Sequence, residues 1–582
     1  MKRNFGRYAI FTALIALAIA GAVPAGSTFA ETRTETQTNK VEPPVLKAME
    51  AELDRSASVF AKSDPPGYFI SYAVTDDQVV EVSGSNGALL SSGENRNRWL
   101  DVQIRAGSPA LDDTHRAGDR PAGGPNPVTP LPLSDDVPVI RRAIWEATDR
   151  EYRSAAEALI KIQTSNEVQS QTAEGRAPDF SHEPPHTYYG SVAAIHVDRR
   201  PWEERLRRYT AAFSADPAVL NSIGTFTAAA INNYQINSEG TKLEFGQVRY
   251  RLELTIQGKA TDGMDIERYA NFDWVDPSRQ PSDAVVTTAI QKMISEVNAL
   301  QTAPLVDPYA GPVLLTGRAA AVFFHEVFGH RVEGFRQKDI NEGQTFTAKI
   351  GQSILPEFIS IKDDPTAQRL GANVLLGYYP YDDEGVAAQD TTLVDHGVLK
   401  TFLMGRSPLV NVPESNGHGR RELGYLPVAR QGNLIVTSDR TVSNAKLREM
   451  LVDSIKQQGK PFGLLIDDIE GGFTFTGRGQ PQAFQVTPLV VYKVFPDGRP
   501  DQIVRGVDIV GTPLVSLTKI VATGDTPDIF NGFCGAESGS IPVSAVAPAV
   551  LISEMEVQKK QTSTDRPPIL PPPAHDPEAR NQ

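Results

Sequence analysis

The chain has 582 residues, more than one ordinary domain holds, with 40% apolar and 22% charged side chains, so a packed core is available and global disorder is excluded. Its 57 basic and 71 acidic residues give a formal net charge of −14, and a pI near 5.3 argues against a general nucleic-acid or anionic-membrane binder. The single cysteine, Cys534, excludes an intrachain disulfide framework, a Cys-rich zinc finger and an iron–sulfur cluster.

At the N-terminus Lys2, Arg3 and Arg7 precede a mostly apolar stretch from Ile10 to Val23, followed by small residues near Ala25 and Ala30. This is the layout of a signal peptide over residues 1–30, with an uncleaved anchor as the alternative. It predicts an exported protein, periplasmic or secreted, without membrane association once the signal is removed. Residues 31–44 form a polar linker. The spacing of Leu46, Met49, Leu53 and Val59 predicts a helix over Leu46–Ala61, and Gly67–Ile104 predicts strands joined by tight turns.

A Pro-rich loop at 121–138 leads into a long helix capped at Asp135 or Asp136, with Ile140, Ile144, Ala147, Ala155 and Leu159 on its buried face. Residues 164–188 read as loop, and Arg200–Phe213 as a basic helix with a solvated face. From Ile223 to Trp274 apolar and polar residues alternate as in half-buried strands, with hairpin turns at Asn237–Gly240 and Asp262-Gly263. A helix over Ser282–Leu300 closes this half. Beyond it come a strand at Val313–Thr316, a helix at Gly317–Val332, and mostly strand and turn, including Val374–Tyr378, Leu434–Val436 and Leu489–Val494. The expected organisation is an α+β N-terminal domain over 45–300, a β-rich C-terminal domain over 301–559 and a disordered Pro-rich tail over 560–582.

Two histidine pairs have spacings near those of metal sites. His182-Glu183-Pro184-Pro185-His186 matches His-Glu-x-x-His, but the motif needs a helical turn and two consecutive prolines break one. His325-Glu326-Val327-Phe328-Gly329-His330 is one residue longer, and residues five apart on a regular helix diverge by about 140°. A helix that ends or bulges at Gly329 would reunite them. The pair is then either a metal site or two core histidines with Glu326 facing solvent. Cys534, in a Gly-flanked turn, is either a buried apolar thiol or a third ligand that leaves a fourth zinc position for water.

The segment Phe324–His330 resembles the HExxxH motif of the TldD/PmbA family of metallopeptidases. Further segments are similar in the same order: Asn237-Ser238-Glu239-Gly240-Thr241, Tyr309–Leu314, Asp382-Asp383-Glu384-Gly385, Gly397-Val398-Leu399-Lys400, Gly471-Gly472 and the Cys534 turn. The resemblance covers roughly residues 220–555 and, more loosely, the region from 45. It implies a two-domain α+β subunit, zinc (Zn2+) held by His325, His330 and Cys534, and Glu326 as catalytic base. It also implies a homodimer, or a heterodimer with a paralogue, around an enclosed site. The expected activity is hydrolysis of short or unfolded peptides. The alternatives are a non-catalytic peptide-binding or assembly subunit and a hydrolase of a non-peptide amide. His418, Arg420 and Arg421, in a Gly-rich loop, are either substrate-binding and oxyanion-stabilising groups or an exposed polar loop. His396 sits in a turn as a structural residue, and Glu333 is the alternative third ligand.

Overall fold

The computed structural model describes residues 42–115, 123–164, 177–339, 342, 344–474, 476–477, 484–560, 568 and 570. The signal peptide expected over 1–30, most of the 31–44 linker and nearly all of the tail lie outside these residues. Among the described residues no helix is long and apolar enough to cross a membrane.

The first half is built on long antiparallel hairpins. Strands Gly67–Ser85, Ala88–Ser108, Asn221–Asn237, Lys242–Lys259 and Asp265–Trp274 are the main members of an eight-stranded sheet. The two predicted turns close two of its hairpins, with Asn237 Oδ1 accepting from the amides of Glu239 and Thr241. Alternation gives the sheet two characters. Tyr72, Val74, Val80 and Val82 point to one face, where helices Pro44–Phe60, Val137–Gln163, Arg200–Ser214 and Asp283–Thr302 complete the core. Asp136 caps the long helix by accepting from the Val139 amide at 3.3 Å. The opposite face is polar and bonds the second half: Gln235 donates to the Asp383 carbonyl, Gln247 to that of Tyr378, and Arg251 to that of Asn531.

The second half centres on a twelve-stranded sheet, in which five strands close into a ring: Tyr309–Leu315, Gly463–Thr474, Phe484–Val494, Val507–Gly511 and Gly539–Lys559. The helix Gly317–Val327 follows directly on the first of these strands and packs on its partners. Ala319 to Val327 are all buried, with Phe323 and Phe324 in the largest core cluster.

Three sequence expectations need correction. The segment Gly317–Val332 is not one helix: the α-helix stops at Val327, and a 3₁₀ turn spans Gly329–Val332. Of the expected strand Val374–Tyr378 only Val374 pairs as a strand, opposite Arg369, and the Leu376 and Gly377 amides donate to the Ser544 hydroxyl instead. The basic helix Arg200–Ser214 has a solvated face, but it also buries Trp202, Leu206, Tyr209 and Phe213. Trp202 stacks on Phe226 with ring centroids 3.8 Å apart.

Candidate metal centre

Thr316 caps the motif helix at its start, and the apolar run Ala319–Phe324 anchors it in the core. Two residues with chemistry, His325 and Glu326, sit in its last turn. There the chain tightens. Gly329 makes this possible, since a Cβ at that position would stand 1.8 Å from Gln431 Oε1. The 3₁₀ turn brings His330 back over His325, with ring centroids 5.0 Å apart. Arg331 holds the helix end by donating from Nη1 to the carbonyls of Glu326 and Val327 at 2.9 and 3.2 Å. The same nitrogen reaches Thr474 Oγ1 at 2.6 Å.

Cys534 arrives on the strand Ile520–Ala536, paired with Gly539–Lys559 so that Cys534 faces Ile541. Alternation along this hairpin turns Phe533 outward, 55% exposed, and Cys534 inward, 6% exposed. Its Sγ lies 3.3 Å from His325 Nε2 and 3.3 Å from His330 Nε2. The three donor atoms all lie within 4.8 Å of one another. Glu326 Oε2 is 4.0 Å from His330 Nε2.

This set fits zinc. Ligand bonds of about 2.0 Å to nitrogen and 2.3 Å to sulfur in a tetrahedron put the two donors about 3.5 Å apart, close to the spacing found. The electrostatics of the thiol point the same way. Burial by itself pushes the Cys534 thiol up, but His330, His325 and Arg430 overcome it and hold the thiol well below its usual range. Burial likewise opposes charge on His330, yet Cys534 and Glu333 hold it well above its ordinary value, so a metal at Nε2 would have to displace a proton there. Thiolate character at the centre of two imidazoles is a donor set for a borderline-soft cation.

Glu333 is placed differently from its expected role as alternative ligand. It accepts from His330 Nδ1 at 3.1 Å, on the side of the ring away from Cys534. His418, Arg420 and Arg421 do not form an open, substrate-facing loop. His418 is fully buried, with Nε2 3.3 Å from Asp363 Oδ1 and Nδ1 against Asn416. Arg420 lies over the Tyr379 ring at 3.9 Å, and Arg421 pairs with the buried Asp101. These partners lie outside the His–His–Cys group. His182 and His186 are not on a helix, and exposed His182 pairs with Glu239 at 2.9 Å. His396 occupies a turn with φ 45°. Arg331, Arg336, Arg430 and Gln431 carried no signal in the sequence. Arg331 and Arg336 follow the motif closely, but the other two are remote from it in the chain and are joined to it by tertiary contacts.

Residues 309–559 match the family model described as the PmbA/TldA metallopeptidase C-terminal domain. Metalloprotease MJ0996 of Methanocaldococcus jannaschii is 29% identical over 232 residues, 40% of this chain and 47% of its own. The zinc metalloprotease TldD homologue of Saccharolobus solfataricus is 24% identical over 255 residues, 43% of this chain and 52% of its own. In both, the match spans about half the length of the relative. TldE of Thermococcus kodakarensis superposes with a TM-score of 0.57 over 88% of this chain and 100% of its own, at 15% identity, a likeness of fold.

Proposed function

The chain belongs to the TldD/PmbA family of metallopeptidases, and from that premise we propose that it is a zinc-dependent peptidase acting on short or unfolded peptides. The observation that carries the proposal is the convergence of His325 Nε2, His330 Nε2 and Cys534 Sγ beside the Glu326 carboxylate. In this reading His325, His330 and Cys534 hold the metal and Glu326 is the general base. Zinc bound there supplies Lewis acidity and lowers the pKa of a water ligand toward neutrality.

The chain's own groups divide the remaining work. Glu326 takes a proton from the attacking water at its carboxylate and passes it to the leaving amine nitrogen. Arg331 fixes the backbone that carries this base by binding the Glu326 and Val327 carbonyls. Access favours flexible substrates. His325, Glu326, His330 and Cys534 are between 4% and 8% exposed, so a bond inside a folded domain does not reach them while an extended segment can thread in.

The test is to incubate the purified protein with one substrate protein in native form and in a permanently unfolded form. The unfolded form is cut and the native form is spared. Equal cleavage at internal sites of the folded core contradicts the proposal.

A further inference from the structure

We propose that Glu333, clamped by Arg336 and Arg430, is the positioning residue that sets His330 and the Cys534 hairpin against each other for metal binding. This rests on the zinc reading above. Glu333 is fully buried, so its carboxylate needs partners. One oxygen accepts from His330 Nδ1 at 3.1 Å and the other from Arg336 Nε at 2.8 Å. With Nδ1 committed to Glu333, Nε2, the nitrogen that faces Cys534, is the one a metal would take in exchange for a proton.

Both arginines continue to the other side of the centre. Arg336 donates in bidentate fashion to Glu537, three residues beyond Cys534, at 2.9 and 2.8 Å. Arg430 donates through Nη2 to the Cys534 carbonyl, and through Nη1 to Ser538 Oγ and the Gly539 carbonyl at 2.8 and 3.0 Å. Its Nε lies 3.7 Å from Glu333 Oε1. One carboxylate thus links the imidazole to two guanidinium groups, and each guanidinium holds the end of the hairpin whose strand carries the thiol. The register matters. A slip of one residue in the hairpin would present Phe533 in place of Cys534. Buried charges of this kind are a costly way to stabilise a core, whereas they fix orientation well.

The test uses Glu333→Gln and Glu537→Gln in the full chain. Zinc affinity is measured by chelator competition, the visible spectrum after cobalt substitution, and fold by thermal melting. Glu333→Gln weakens zinc binding roughly 10–100-fold, the scale for lost partners of ligand histidines, and shifts the cobalt bands. Glu537→Gln, whose parent side chain is 31% exposed, changes both in the same direction and tests the clamp should the first variant fold poorly. Wild-type affinity and an unchanged cobalt spectrum in the folded variants overturn the proposal, including when melting alone is lowered. A wild-type chain that takes up neither zinc nor cobalt overturns the metal reading itself, an outcome distinct from the failure of the clamp.

Discussion

Gly472 lies against Glu326: a Cβ built on the glycine would stand 2.3 Å from Glu326 Cγ and 2.6 Å from its Cδ. The strand Gly463–Thr474 therefore leaves room for the carboxylate only because this position has no side chain. Gly472→Ala should displace Glu326 while leaving the three metal donors in place. The expected outcome is a fall in kcat of at least about tenfold at unchanged zinc content, the lower end of what a mispositioned acid–base group costs. Wild-type kcat in this variant would separate the base from the position observed for Glu326.

Glu326→Gln keeps the shape of the side chain and removes its capacity to accept a proton. Peptide hydrolysis should fall by roughly 10²–10⁴-fold, with fold and zinc retained. A loss smaller than tenfold, measured at saturating substrate, rules out the general-base role.

Away from the centre, burial pushes Glu151 on the long helix up to about 7, with Asp101 adding to the shift and Arg150 opposing it. The folded-state value lies above the unfolded value, so the native state holds this proton more tightly. The associated stability is present below the unfolded value of 4.5 and is lost as pH rises to about 7. Glu151→Gln removes that loss. Denaturant unfolding should show the variant more stable by about 1–3 kcal/mol at pH 8 and equal to wild type at pH 4. A gap that is absent at pH 8, or largest at pH 4, contradicts the assignment.

Local chemistry made much of the fold legible. The turn residues at Asn237–Gly240 and Asp262-Gly263 act through their own side chains and backbone freedom, and the Asp136 cap acts within one turn of its helix. The His325, His330 and Cys534 combination was visible as a set of residue types, and the structure brings the three together. What the sequence hid was set by distant partners. The sequence left a stop or a bulge at Gly329 open, and the choice of a stop goes with Gly329 lying against Gln431, about a hundred positions away. Glu333 was visible as an acid near the motif, but its role is decided by which imidazole nitrogen it meets. His418 and Arg421 looked solvent-facing because glycine and charge surround them. Their partners, Asp363 and Asp101, come from remote strands and draw them inward. In the helix Arg200–Ser214, arginine density masked an apolar stripe of Trp202, Leu206, Tyr209 and Phe213.

The central claim is that two imidazoles and one thiolate hold a catalytic metal. The most direct test is metal analysis of the purified wild-type chain alongside Cys534→Ala. About one zinc per chain in the wild type and a large loss in the variant are the expected results, since Cys534 Sγ is the donor that both histidines face. A wild-type chain without zinc, or a Cys534→Ala chain that keeps its zinc in full, would contradict the account.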